Sequence, residues 1–237
     1  LQKVNLPEKM TCIDQNAFYY CSALTEISLP QGLLVLSNQM LGGTALQSVV
    51  IPEGVHTIGA GAFAGCKNLK SIIVPDGVPE ITRGTFYGCE SLLEVQLPDT
   101  IVSIGFDAFR ETALMKQFEE GTEEALYIDN WLIRYKADLA ETLYIRKGTL
   151  GVADMNSFHK RYLKGVTFPE GLKYIGSEAF ERTDLKSVKL PRTLELMKYS
   201  AFRGTKIKEI ILPASVKRVD KWVFMDCEQL DRITVEG

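Results

Sequence analysis

The side chains best suited to chemistry are five cysteines and two histidines, namely Cys12, Cys21, Cys66, Cys89, Cys227, His56 and His159. Thiolates and imidazoles ligate zinc, or act as nucleophile and base, when the fold brings them together. The sequence contains no Cys-x-x-Cys pair, and both histidines lie far from the cysteines along the chain. We therefore expect no metal centre and no catalytic site here, and both histidines at the surface.

Two further segments have compositions that can bind ions. Residues 59–65 (GAGAFAG) resemble a phosphate-binding loop, and residues 119–124 (EEGTEE) offer carboxylates to calcium. The order of oxygen ligands in the acidic segment fits no known calcium loop, and we expect it to be solvated. The glycine-rich segment falls inside a repeat that accounts for its glycines. We predict that the chain is not an enzyme and has no cofactor.

An internal repeat positions these residues. Prolines recur every 22 or 23 residues in two series, and a large apolar residue follows each proline by eleven positions. The pairs are Pro7 with Phe18, Pro30 with Leu41, Pro52 with Phe63, Pro75 with Phe86, Pro98 with Phe109, Pro169 with Phe180, Pro191 with Phe202 and Pro213 with Phe224. A ninth, degenerate copy runs from Arg146 to Phe158. Such a period indicates a solenoid, in which each coil buries its apolar side against the next.

Each copy reads L-x-x-I-x-L-P-x-x-x-x-x-I-G-x-x-A-F-x-x-C/T. The apolar residues one and three positions before proline alternate with outward positions, which predicts a strand. Proline ends that strand because it has no N–H to donate. The A-F-x-x-C/T stretch is short, and we predict a single helical turn there.

This motif resembles the BspA-like class of leucine-rich repeats, whose units carry the same L-x-x-I-x-L-P…I-G-x-x-A-F-x-x-C pattern. The resemblance extends over nearly the whole chain. It implies an α/β, β-rich fold: a right-handed leucine-rich-repeat solenoid of about nine coils of 22–23 residues. It also implies a secreted or cell-surface protein of a microbe that acts in adhesion or ligand capture. The asparagine ladder of other leucine-rich repeats is replaced here mostly by glycine.

The slot three residues after the large apolar residue holds cysteine or threonine. Cysteine corners reach the next proline in nine residues and threonine corners in eight, as in Cys21–Pro30, Cys66–Pro75 and Cys89–Pro98 against Thr44–Pro52, Thr183–Pro191 and Thr205–Pro213. We expect the threonine hydroxyl to bond a nearby backbone group and tighten the corner. Cysteine would fill the wider corner as a small apolar group. We expect five reduced thiols, with a Cys66–Cys89 disulfide as the alternative.

The repeat is interrupted between Phe109 and Arg146. Residues 126–135 alternate on both sides of Asp129-Asn130, which predicts a β-hairpin with a two-residue turn. We predict one domain over residues 1–237. It would comprise coils over 1–114, an insertion with the hairpin over about 115–140, and coils over about 141–237.

A partner could contact two groups of residues. The candidates are Val50, Ile73, Gln96 and Thr167 at outward strand positions, and Tyr127, Trp131 and Tyr135 in the hairpin. If the hairpin leans over the sheet, its aromatic residues would wall a groove whose floor includes Gln96 and Thr167. Tyrosine and tryptophan often anchor interfaces, which makes them candidates for binding. The competing expectation is that Trp131 and Ile133 turn inward as core, which leaves Leu132 and Arg134 outside.

Composition limits the function classes. A net charge of −3 and a pI near 5.6 argue against a nucleic-acid partner, and no apolar run is long enough to insert directly into a membrane. We predict a non-catalytic binding module for a protein or glycan, extracellular or at the cell surface, with signal and anchor outside this chain. The alternative is a structural spacer of a larger surface protein. Because both ends stop within a repeat, end-to-end self-association is a further expectation.

Overall fold

A computed structural model describes residues 1–136, 141–155 and 162–236. These residues form two compact units, Leu1–Thr122 and Glu123–Gly237, which are described separately as the first and second unit. The expectation of one domain over the whole chain stays a prediction. Two residues of the degenerate repeat, Phe158 and His159, lie outside the described residues.

The first unit is a stack of coils. The coils of Pro30, Pro75 and Pro98 have one strand before proline and a shorter strand after it, whereas the coil of Pro7 has only the first strand and that of Pro52 only the second. Its elements are β1 (Lys3–Asn5), β2 (Glu26–Ser28), β3 (Val35–Leu36), β4 (Thr57–Ile58), β5 (Ser71–Ile73), β6 (Glu80–Ile81), β7 (Glu94–Gln96), β8 (Ser103–Ile104) and α1 (Ala113–Glu120). All strand pairs are parallel: β1 with β2, β3 with β4, β5 with β7, and β6 with β8.

The second unit begins with the hairpin and continues as coils. Its elements are β9 (Ala125–Ile128), β10 (Trp131–Tyr135), β11 (Thr142–Tyr144), β12 (Gly151–Val152), β13 (Gly165–Thr167), β14 (Tyr174–Ile175), β15 (Leu196–Met197), β16 (Glu209–Leu212), β17 (Arg218–Val219) and β18 (Arg232–Val235). The shorter strands and the hairpin form one sheet in the order β17-β15-β14-β12-β10-β9. Strands before proline pair as β11 with β13, and the last two as β16 with β18. The predicted β-rich repeat solenoid is confirmed.

The prediction of a helical turn in the A-F-x-x-C/T stretch is wrong. In all eight coils with a described apolar slot, the residues two positions before and two after that slot have positive φ, as in Gly61 (63°) and Gly65 (73°). A left-handed residue reverses the turn of the chain, so no helix continues through it. Alternate N–H groups donate instead to the next coil, from Phe63 to the Thr85 carbonyl at 3.0 Å and from Gly65 to the Tyr87 carbonyl at 2.7 Å, while the N–H of Ala64 between them donates to the Gly61 carbonyl of its own coil at 2.9 Å.

Stacked aromatic rings fill the core of both units. In the first unit the Phe86 ring lies 5.5 Å from both Phe63 and Phe109, with nearly parallel planes. In the second unit Phe180 and Phe202 stack at 5.4 Å. These rings are buried, and each fills the space between consecutive coils. The repeated apolar slot is therefore the main packing contact along each stack.

Threonine and cysteine bond in different directions at the corners. The Thr44 hydroxyl donates to the Leu41 carbonyl of its own coil at 2.8 Å, and Thr183 makes the same bond at 2.9 Å. The predicted threonine bond is thus confirmed. The Cys66 thiol instead donates to the Leu41 carbonyl of the preceding coil at 3.1 Å, and Cys89 repeats this contact. Cysteine is therefore more than an apolar filler, because it links neighbouring coils.

Strand pairing follows the corner type. Strands after the cysteine corners at Cys21, Cys89 and Cys227 pair with the strand of the preceding coil. In the described residues, the strand segments after Thr44, Thr183 and Thr205 do not, and β5 after Cys66 also lacks this pairing. At each eight-residue threonine corner, the segment that follows the corner is thus not paired with the corresponding segment of the preceding coil.

Helix α1 was not predicted. Thr112 occupies the corner slot of its coil, and its hydroxyl also caps the helix by accepting from the Met115 N–H at 3.2 Å. Met115 and Phe118 face the core. Threonine before apolar residues spaced three apart was an available signal.

No helix among the described residues is long and apolar enough to cross a membrane.

Candidate binding surfaces

The strand face consists of the residues two and four positions before each proline. The outward orientation predicted for these residues is confirmed, since all of them in the described strands are exposed or half-buried. Val50 is 80% exposed and Ile73 is 63% exposed. Gln96 and Thr167 are also exposed, in the first and second unit respectively. Accessibility permits the predicted binding role of these four residues, which stays a prediction.

The strand face is interrupted in each unit. Residues 48–50 form no strand pair, and their nearest backbone bond runs from the Lys70 N–H to the Gln47 carbonyl at 3.2 Å. Residues 187–189 repeat this arrangement, with a bond from the Lys208 N–H to the Lys186 carbonyl at 3.3 Å. Within the described residues, the main-chain groups of 48–50 and 187–189 make no backbone hydrogen bonds. They are therefore not tied by backbone hydrogen bonds to a neighbouring coil.

A cavity of about 580 Å³ lies beside the interruption in the second unit. Val188, Ile211 and Pro213 supply apolar surface, and Lys189 and Glu209 contribute charges to its lining. Ile211 is 54% exposed although it is a large apolar residue. The repeat pattern did not predict this cavity, but the eight-residue threonine corner before residues 187–189 was a signal for it.

The hairpin forms as predicted, with Asp129 in a left-handed conformation at the turn. Its strand β10 also pairs with β12, so that β10 is an interior strand of the sheet. Trp131 is 1% exposed, and its ring stacks on Tyr174 at 6.0 Å. The prediction that Trp131 walls an accessible groove is therefore wrong. The competing expectation is confirmed for Trp131 and Ile133, but Leu132 is buried too, because side chains pack against both faces of β10 at this point.

Tyr135 is likewise a core residue rather than a binding residue, which corrects a second prediction. It is 8% exposed, its hydroxyl donates to the Ala179 carbonyl at 3.2 Å, and its ring stacks on Phe180 at 6.3 Å. Burial raises the pKa of the Tyr135 phenol well above its usual range. Tyr135 thus extends the aromatic stack of the second unit by one ring.

Tyr127 is half-buried, and its contacts hold the hairpin in place. Its hydroxyl accepts from the Arg146 backbone N–H at 3.0 Å, and the Arg146 guanidinium lies 4.3 Å above its ring. The same guanidinium donates to the Asp129 carbonyl at the turn. A binding role for Tyr127 stays a prediction, but its contacts in the structure are those of a positioning residue.

The cysteines and histidines form no reactive cluster. No three His, Cys, Asp or Glu side chains of the described residues converge as metal ligands. Burial raises the pKa of the Cys66 and Cys89 thiols, which makes their nucleophilic thiolates harder to form. His56 is exposed and its Nδ1 lies 3.0 Å from the Thr57 hydroxyl. Cys66 and Cys89 are therefore packing residues, and His56 is a surface residue.

Parallel short strands, aromatic stacking and repeated corners define both units as leucine-rich-repeat solenoids. The model for the BspA type leucine rich repeat region matches residues 1–119 and 153–237 in six copies. The chain belongs to this family. Among curated proteins, none matches the sequence significantly.

Solved structures of bacterial leucine-rich-repeat proteins are similar to this chain. A leucine-rich cell surface protein from Faecalibacterium prausnitzii A2-165 is 25% identical, with a TM-score of 0.50, over 100% of this chain and 79% of that protein. The pneumococcal vaccine antigen PcpA is 23% identical, with a TM-score of 0.45, over 100% of this chain and 62% of that protein. The family and the similarity to the Faecalibacterium prausnitzii protein are those of repeat proteins of bacterial surfaces.

Proposed function

We propose that this chain is a non-catalytic binding module that captures a protein partner through its strand face. The observation that carries the proposal is the interruption of that face in each unit. There, unpaired main-chain groups lie next to an exposed isoleucine, Ile73 in the first unit and Ile211 in the second. Main-chain groups give affinity to an extended segment of a partner, and apolar contacts give it selectivity.

The location is part of the proposal. The similar Faecalibacterium prausnitzii protein is described as a cell surface protein, and we place this chain outside the cell or at its surface. A module there meets other proteins directly. The competing function is a structural spacer, for which the strand face would need only to be solvated.

The strand-face substitutions Ile73→Lys and Ile211→Lys test the proposal, and we expect each to weaken capture of a partner at least tenfold. Both side chains are more than half exposed, so the fold should tolerate lysine at a cost within about 0.5 kcal/mol. Wild type and variants would be compared on an array of purified extracellular proteins, with dissociation constants measured for each captured protein.

The matched control is Leu34→Lys. Leu34 is 47% exposed and lies outside the strand face, so this change adds the same charge at an exposed apolar site elsewhere. Capture by the control should equal that of wild type. Equal capture by all variants, or no capture by wild type, would contradict the proposal and favour the spacer.

A further inference from the structure

A second surface of the first unit carries an open groove of about 550 Å³. This turn face is formed by residues that flank the buried apolar slot of successive coils. The residues of interest in its lining are Gln39, Gly61, Arg83, Gly84, Tyr87 and Arg110. The groove is separate from the strand face, so a ligand bound in it is independent of the function proposed for that face.

Missing side chains create the groove. Gly61 and Gly84 occupy the left-handed position two residues before phenylalanine, with φ of 63° and 62°. The same position holds Gln39 (φ 52°) and Asp107 (φ 56°) in other coils of this unit. A β-carbon built on Gly84 would lie 3.7 Å from the Tyr87 β-carbon, which is ordinary contact. Crowding therefore does not require glycine at 84, and Gln39 shows that glutamine can adopt this backbone conformation at the same position of another coil.

Both arginines of the first unit line this groove, together with one carboxylate, Asp107. Residues 1–122 contain seven Lys and Arg against thirteen Asp and Glu, a net charge of −6. Only two of the seven are arginines, Arg83 and Arg110, and both line the groove. Arg110 lies 3.8 Å from the Glu111 carboxylate and 4.0 Å from that of Asp107, which also lines the groove, and its guanidinium lies 5.9 Å above the Tyr87 ring. Arg83, in contrast, forms no ion pair with the residues that the structure describes. A planar guanidinium matches a carboxylate with two hydrogen bonds.

The remaining lining favours a sugar over a peptide. Tyr87 is 37% exposed, and its hydroxyl donates to the Glu111 carboxylate at 2.9 Å, which fixes the ring. The C–H face of a sugar packs on such a ring, and its hydroxyls bond to amides such as that of Gln39. Stacked coils lie about 5 Å apart, close to the advance per sugar ring of an extended polysaccharide. Successive sugars would thus meet successive coils.

We propose that this groove binds an acidic oligosaccharide. Arg83 and Arg110 recognise the carboxylates of its uronic-acid residues, and one sugar face packs on Tyr87. The glycine floor at Gly61 and Gly84 leaves room for the chain of sugars.

Calorimetric titration of the full chain tests this proposal. The probes are uronic-acid tetrasaccharides, namely oligogalacturonate and hyaluronan fragments, with neutral tetrasaccharides and an oligoglutamate peptide for comparison. At least one uronic-acid probe should bind, and its affinity should fall as salt rises. Arg83→Gln should weaken that binding at least tenfold, and so should Gly84→Gln, which adds the side chain that Gln39 carries at the same position.

The matched control is Gly77→Gln. Gly77 also has positive φ (89°), nothing lies within 4 Å of a β-carbon built there, and it does not line the groove. This variant should bind the acidic sugar as wild type does, and circular dichroism would confirm that all variants are folded. The proposal is overturned if no uronic-acid probe binds, if the neutral sugars or the peptide bind equally well, or if Gly84→Gln binds like the control.

Discussion

Replacing Phe86 with alanine is expected to lower the free energy of unfolding by about 3–5 kcal/mol, the range for truncating a large buried aromatic residue. The Phe86 ring is fully buried and lies 5.5 Å from the rings of Phe63 and Phe109 on its two sides. Removing the ring leaves a cavity between coils, and the backbone hydrogen bonds between those coils keep them from moving together to close it. Urea denaturation followed by circular dichroism would measure the change.

Leu41→Phe is the control for this slot. Leu41 occupies it in the second coil and is buried, and phenylalanine fills the same slot in other coils of the unit. The substitution should cost clearly less than Phe86→Ala. A Phe86→Ala protein that melts within a degree or two of wild type would show that the ring does not hold the coils together.

Replacing Trp131 with alanine is expected to lower the free energy of unfolding by about 3–5 kcal/mol. The buried indole stacks on Tyr174 and lies directly against Gly151. A β-carbon on Gly151 would lie 2.4 Å from Cη2 of Trp131. Gly151→Ala should therefore destabilise wild type by about 1–3 kcal/mol through overpacking. Thermal and urea denaturation of the single variants would measure both effects.

The double variant isolates this contact. With Trp131 already alanine, the space that the indole filled is open, so Gly151→Ala should cost much less than it does in wild type. Trp222→Ala serves as the control, because Trp222 is half-exposed, and its loss should be mild by comparison. Additive costs of the two substitutions would mean that the ring does not pack on Gly151.

The parts of the fold that are repeated in the sequence were predictable. Proline spacing located the strands before Pro30, Pro75 and Pro98, because the same residue type ends the strand in each of these coils. Backbone conformation was not visible in the same way. Left-handed positions hold glycine in some coils but Gln39 or Asp107 in others, so no single residue type identifies them, and the stretch resembled a helical turn.

The exposure of the candidate site residues was predictable only where it depends on the alternation of residues along a single segment. Ile73 lies between the buried residues Ile72 and Val74, and both Ile73 and Val50 are exposed as expected. Trp131 and Tyr135 depend on which strands flank β10, and that pairing with β12 joins segments that no local pattern connects. The turn-face groove was missed because its signal is the absence of side chains at positions that other coils fill.

Hydrogen exchange measured by mass spectrometry, with and without a captured protein partner, tests the central claim most directly. In the free chain, the amides of residues 48–50 and 187–189 should exchange rapidly, because they make no backbone hydrogen bonds among the described residues, while paired β7 exchanges slowly. A protein partner should then slow exchange at one or both interrupted segments. Protected amides there in the free chain, or a bound partner that leaves both segments unchanged, would contradict the account.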